Sequence, residues 1–250
     1  MHGISHVTAL ARKPRRTTEF YQGLLGLTLA RESVNPQDPH TFEQAFSTDR
    51  GEIVFHYYPR SHRGSSGTGG VSALYLLVAR GSLPDWSRLL KNRSQPGERR
   101  FGEDCLEVFD PDGLPLILME SDVGSPRIGG VQLLNSSSEF WEDDLGLEVL
   151  GQERARLRLR CGEHFVELEE RAEAGFHCLG YGAFHHFALA GDSSPRYLRS
   201  SCGTLCEITE AGVPAGRSER PGRLYLPQNL EPRRGEIEEV LQWTGRVNKV

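Results

Sequence analysis

The sequence predicts an α+β protein built from four copies of one strand–helix–three-strand unit, written βαβββ. Three observations predict it. Short apolar runs of strand length, bounded by glycine or small residues, begin near Gly3, Val71, Ile128 and Phe184. The first three are each followed by a helix pattern and then by further strand runs. Finally, Glu19-Phe20-Tyr21 with Leu25-Gly26-Leu27 recurs as Glu139-Phe140-Trp141 with Leu145-Gly146-Leu147 at the same spacing, an internal repeat.

The first unit opens with Gly3-Ile4-Ser5-His6-Val7-Thr8. Thr17 or Thr18 can cap a helix whose face carries Phe20, Leu24 and Leu25, and Gly26 can end it. Strand runs follow at 27–34, 42–46 and 53–58. A joint with four glycines and three serines spans Ser61 to Gly70. The second unit takes a strand at 71–78 and a helix at 83–90 with Trp86, Leu89 and Leu90 as its apolar stripe. Strands at 106–109 and 114–119 follow, joined by the turn Asp110-Pro111-Asp112-Gly113. After a joint from Ser121 to Arg127, the third unit has strands at 128–134, 155–159 and 165–168. Units of about 60 residues are too small to bury a sheet alone, so pairing into two curved mixed sheets is expected. The units fall into two halves, 1–124 and 125–250.

The composition describes an ordinary globular chain: 250 residues, 25 % charged, net charge −5. The densest basic run, Arg12-Lys13-Pro14-Arg15-Arg16, is too short to suggest nucleic acid, and no apolar run approaches the roughly 18 residues of a membrane span. Five cysteines without paired CxxC spacing, and a strand pattern already at Gly3, lead us to expect a reduced, cytoplasmic setting.

The chemistry concentrates in two strands. His6 and His186 sit at the same point of similar apolar runs, and Glu207 follows in a third such run. Two histidines and a carboxylate on strands form the ligand set of a non-haem iron site with open positions.

Four βαβββ units with histidines in first strands and an acid in a last strand resemble the vicinal oxygen chelate superfamily, which includes glyoxalase I and the extradiol dioxygenases. The chain is most similar to the ring-cleaving, hydroquinone-type dioxygenase branch. That likeness rests on Gly3-Ile4-Ser5-His6-Val7-Thr8, Val34-Asn35 with Asp38-Pro39, Gly67-Thr68-Gly69-Gly70-Val71-Ser72 and Arg100-Phe101-Gly102-Glu103. It continues through Asp110-Pro111-Asp112-Gly113-Leu114, His185-His186, Leu226-Pro227 and Leu230-Glu231-Pro232-Arg233-Arg234. The resemblance implies an Fe(II)-dependent dioxygenase (Mn(II), Zn(II) or Ni(II) being the alternatives) that opens a hydroquinone- or catechol-type ring with dioxygen. It also implies that His185 is a substrate-facing acid–base residue and Tyr197, in Tyr197-Leu198-Arg199, a hydrogen-bond donor to substrate or intermediate. A glyoxalase-like lyase, isomerase or transferase, and a non-catalytic binding protein, are the competing readings.

Aligning the repeats selects the metal-bearing units. The third position of the first strands reads His6, Ala73, Gly130 and His186. Counting four residues from the last-strand turn glycines Gly51, Gly113, Gly162 and Gly203 gives Phe55, Ile117, Val166 and Glu207. Paired units one and four would thus offer His6, His186, Glu207 and an apolar wall, Phe55. Glu167 and His56, one residue off, are expected on the opposite face.

The sequence also departs from the family pattern. Only Gly191 to Pro195 separate Ala190 from Arg196, too few for a helix of three turns. The fourth unit therefore lacks its helix, and with it an arginine that the family uses near substrate; Arg196 or Arg199 is the candidate replacement. Ser5 stands where the family carries a second histidine, and a hydroxyl cannot carry a proton at neutral pH. A second copy of the chain, as a homodimer, is the candidate cover for the sheet that the missing helix would expose.

Overall fold

The computed structural model of the protein describes residues 1–192, 194–210 and 224–243. Unit one comprises β1 (Gly3–Ala11), α1 (Pro14–Thr18) running into a π-helical stretch (Glu19–Leu24), β2 (Thr28–Asn35), β3 (Asp38–Ser47) and β4 (Glu52–Tyr57). Unit two comprises β5 (Val71–Ala79), α2 (Leu83–Leu90), β6 (Ser94–Pro96), β7 (Cys105–Phe109) and β8 (Pro115–Ser121). Unit three has β9 (Arg127–Leu134), a π-helical turn (Phe140–Asp144), β10 (Glu148–Glu153), β11 (Arg156–Cys161) and β12 (His164–Glu169). Unit four has β13 (Ala183–Gly191), β14 (Arg196–Arg199) and β15 (Leu205–Glu210), with no helix among the described residues between β13 and β14. A helix that the sequence pattern did not reveal, α3 (Arg234–Trp243), follows and packs on β3.

Two mixed sheets result. Units one and four form β14-β15-β13-β1-β4-β3-β2, and units two and three form β10-β11-β12-β9-β5-β8-β7-β6. The antiparallel pairs β1–β13 and β5–β9 join the units. Each sheet therefore takes one unit from either side of residue 124, and the pairing cuts across the halves 1–124 and 125–250.

One face of each sheet is apolar and contributes to a common core. Val7, Phe55, Phe187 and Ile208 come from the first sheet, Leu74, Val131 and Val166 from the second, and Phe20, Tyr21 and Trp141 from the helical turns. Phe187 and Trp141 are both fully buried and stack with ring centroids 5.7 Å apart. Trp141 of unit three thus covers sheet surface in the unit that lacks a helix. Burying an aromatic side chain of this kind is worth about 2–3 kcal/mol.

The same irregularity recurs in all four first strands. Register shifts fall at Ser5 and His185 in the β1–β13 pair, and at Ser72 and Gly129 in the β5–β9 pair. A bulge breaks the simple alternation of faces, so the residue before each third position need not point away from it.

Candidate metal centre

β1 and β13 run antiparallel with Thr8 opposite His186 and His6 opposite Ala188, while Ala188 lies beside Glu207 of parallel β15. This register brings the three candidate ligands together on the face opposite the core. Each of His6, His186 and Glu207 offers one ligand atom, all within 4.8 Å of one another. Nε2 of His186 lies 3.1 Å and Nε2 of His6 3.4 Å from Glu207 Oε2. The imidazoles meet edge to face with centroids 5.5 Å apart.

The bulged residues orient the ligands. Ser5 Oγ lies 3.3 Å from His6 Nδ1 and is itself held by Thr209 Oγ1 at 3.1 Å. His185 Nδ1 lies 2.8 Å from His186 Nδ1. Each ring is thus engaged at Nδ1 by its preceding neighbour and left with Nε2 toward the carboxylate, the outer hydrogen bond expected of an imidazole ligand. Burial alone would raise the Glu207 carboxyl, but hydrogen bonds from His186 and His6 hold it down at about 2. Burial lowers His186, and burial together with the His186 charge pushes His185 down to about 4. Burial, then the Glu207 charge, raises the Tyr197 phenol. The donor set therefore fits a divalent cation: an ionised carboxylate, a His186 that burial keeps toward the neutral form, and two imidazoles that turn Nε2 toward that carboxylate.

The cluster opens into a cavity of about 660 Å³, within the range of small-molecule sites. His185 and Tyr197 line it, and the Tyr197 ring stands edge-on to His186 at 5.6 Å. The bulge at His185 is the feature that turns it inward.

Three of the residues expected at the substrate need correction. Phe55 is not a cavity wall: it is fully buried in the core against Tyr21 and Phe46, ring centroids 4.7 and 5.9 Å away. Val54 takes its place. In the parallel pairs, Thr8 lies beside Val54 as Ala188 lies beside Glu207, so Val54 is the register equivalent of Glu207, and it lines the cavity. Arg199 is not among the lining residues: it is exposed, with its guanidinium on the Gly203 carbonyl at 2.6 Å. Ser5 serves His6 rather than substrate and does not line the cavity.

The slip at Phe55 has a simple origin. All four turn glycines have positive φ, but the turns differ in length. From Gly51, Gly113, Gly162 and Gly203, the register-equivalent residues are Val54, Ile117, Glu167 and Glu207. One residue of slip exchanges the faces of a strand. His56, two residues beyond Val54, therefore lines the cavity, and Glu167 stands at the position equivalent to Glu207.

Glu167 nevertheless has no histidines to join. Ala73 and Gly130 hold the equivalent ligand positions, and a Cβ at Gly130 would lie 2.3 Å from the Phe165 carbonyl oxygen. Arginines neutralise the acid instead. Arg100 Nη1 lies 3.0 Å and Arg158 Nη2 2.7 Å from a Glu167 that is fully buried, and Tyr75 hydroxyl donates to the same carboxylate. The second sheet thus carries an internal ion network where the first carries a ligand cluster.

The sequence reading placed His56 on the opposite face and missed Arg31 and Glu43, which share one wall of the cavity with it, and Tyr225 and Pro227, which line it from the C-terminal segment. Alternation from Val54 would have exposed His56. Nothing local marks Tyr225, which reaches the cavity because its amide bonds the Glu32 carbonyl at 2.7 Å.

Paired units of this kind, with two histidines and one carboxylate gathered on a sheet face, define a protein of the glyoxalase type with a candidate metal centre. The chain belongs to the glyoxalase/bleomycin resistance protein/dioxygenase superfamily, whose family model matches residues 3–116. It is 30 % identical over 214 residues to MhqO of Bacillus subtilis (strain 168), a protein named for a proposed ring-cleaving dioxygenase activity; the match covers 74 % of this chain and 68 % of MhqO. MhqE of the same organism, named likewise, is 36 % identical over 47 % of this chain and 41 % of its own length. A crystal structure from Bacillus subtilis, titled as a proposed dioxygenase, superposes with a TM-score of 0.85 at 27 % identity over 96 % of both chains. Glyoxalase I from Zea mays shares the fold, with a TM-score of 0.64 at 15 % identity over 83 % of this chain and 92 % of the other.

Proposed function

We propose that this chain is a ring-cleaving dioxygenase that opens a hydroquinone- or catechol-type ring, with Fe(II) held by His6, His186 and Glu207. One observation carries the reading: Val54 stands at the register equivalent of Glu207. Three ligands and an apolar fourth position leave room for substrate and dioxygen. A closed four-ligand set would favour the glyoxalase-like alternatives. When bound, the metal supplies redox capacity and a template for substrate and dioxygen.

The remaining steps belong to the chain's own groups. When His186 offers its Nε2 lone pair to a cation, its Nδ1 carries the proton and donates to His185 Nδ1. His185 then holds its own proton at Nε2, as a donor placed on the cavity wall. Tyr197, kept in the phenol form by burial and Glu207, is a second donor beside the ligands. Val54, Tyr225 and Pro227 add apolar surface to the same space.

The test is anaerobic reconstitution with Fe(II), then oxygen uptake on a panel of hydroquinones and catechols. Uptake of one dioxygen per ring opened is expected with Fe(II) and none with Zn(II). Absence of uptake on every diol overturns the proposal.

A further inference from the structure

The cavity contains a charged chain that the proposed chemistry leaves unused. Arg31 on β2, Glu43 on β3 and His56 on β4 stand side by side across three neighbouring strands and line one wall. Their side chains are only 11, 7 and 14 % exposed. Arg31 Nε and Nη2 donate to Glu43 Oε1 at 3.2 and 3.0 Å, and Nη1 donates to Glu52 Oε2 at 2.7 Å. The other Glu43 oxygen, Oε2, lies 3.1 Å from His56 Nε2.

We infer that His56 holds the polar substituent of the substrate farthest from the metal centre, by accepting a hydrogen bond at Nδ1. The inference rests on the aromatic-diol reading above. It follows first from the hydrogen-bond inventory. Glu43 is an ionised carboxylate: burial would raise it, but His56 and Arg31 bring it below the usual range. An ionised carboxylate only accepts, so His56 Nε2 must be the N–H. In the neutral ring Nδ1 then bears a lone pair, and it bonds to no described residue. This is the arrangement by which a buried acid sets the tautomer of a working histidine.

Position points the same way. His56 lies beside Leu10 on β1, whereas His186 lies opposite Thr8. With β1 between β4 and β13, the two histidines are two strand spacings apart and one pleat displaced, roughly 12 Å between Cα atoms. His56 is too far to ligate the same ion, yet the gap left after both side chains reach inward is about that of one aromatic ring. A buried ion chain costs desolvation energy, and this one ends in a histidine that lines the cavity.

The experiment compares wild type with His56→Ala and His56→Gln, Fe(II)-loaded and anaerobic, by calorimetric titration with hydroquinone, catechol and phenol. Gln keeps an amide donor for Glu43 while removing the acceptor at Nδ1, so it remains readable if the alanine variant folds poorly. Both variants should keep wild-type metal content and lose about tenfold in hydroquinone affinity, the value of one hydrogen bond. Phenol, which has no second hydroxyl, should bind all three proteins alike. An unchanged ratio of hydroquinone to phenol affinity, or equal losses on both, overturns the role of His56 while oxygen uptake by wild type still stands. Wild type that binds no diol overturns the functional reading and this inference together.

Discussion

Placing a glutamate at residue 54 or at residue 55 separates the two possible registers of β4. Val54 is the register equivalent of Glu207 and lines the cavity; Phe55 is fully buried between Tyr21 and Phe46. In Val54→Glu, two carboxylates converge on one point from opposite sides, roughly 5 Å apart. At an effective dielectric near 20 their repulsion is about 3 kcal/mol. At roughly 2–4 °C per kcal/mol for a chain of this length, the metal-free variant should melt about 6–12 °C below Val54→Gln. A divalent cation should remove that deficit, because the added acid becomes a fourth ligand, and Zn(II) affinity should rise while oxygen uptake falls. Phe55→Glu instead drives an unpaired charge into the core and should not fold, since that cost is comparable to total stability. Thermal melts of the variants with and without EDTA and Zn(II) are the assay. If Val54→Glu and Val54→Gln melt alike in both conditions, Val54 does not face the centre and the three-ligand argument falls.

Two further outcomes follow from the charged groups. Metal affinity should stay level from pH 8 to about 6.5 and decline below, as imidazoles take up protons in competition with the ion. Burial depresses His186, which delays its protonation, and Glu207, held near 2, stays ionised across that range. Metal affinity that stays level from pH 6.5 down to about 5 in competitive metal titrations would contradict this. On the other sheet, Arg100→Met removes one partner of fully buried Glu167 and should cost about 3–5 kcal/mol, read by calorimetry. Bound metal per chain should not change, because that network belongs to the sheet without ligands; loss of metal would refute the separation.

Much of this was legible in the residues. The repeat of Glu-Phe-aromatic and Leu-Gly-Leu marks equivalent units, and the contrast of His6 and His186 with Ala73 and Gly130 marks which units carry ligands. Those signals are local, because strand and helix periodicity and turn glycines act within a few residues. The short stretch after Ala190 likewise announces that unit four lacks a helix. Register lies beyond local pattern. Whether Val54 or Phe55 faces the centre depends on a turn shorter by one residue, and a single residue exchanges the two faces of a strand. The inward turn of His185 depends on a bulge defined only against the opposite strand. His56, Glu43 and Arg31 are far apart in any linear motif and become one chain because β2, β3 and β4 lie side by side. The type of chemistry can be read from which residues are present. The shape of the site comes from hydrogen bonding between distant strands, which sets what each residue meets.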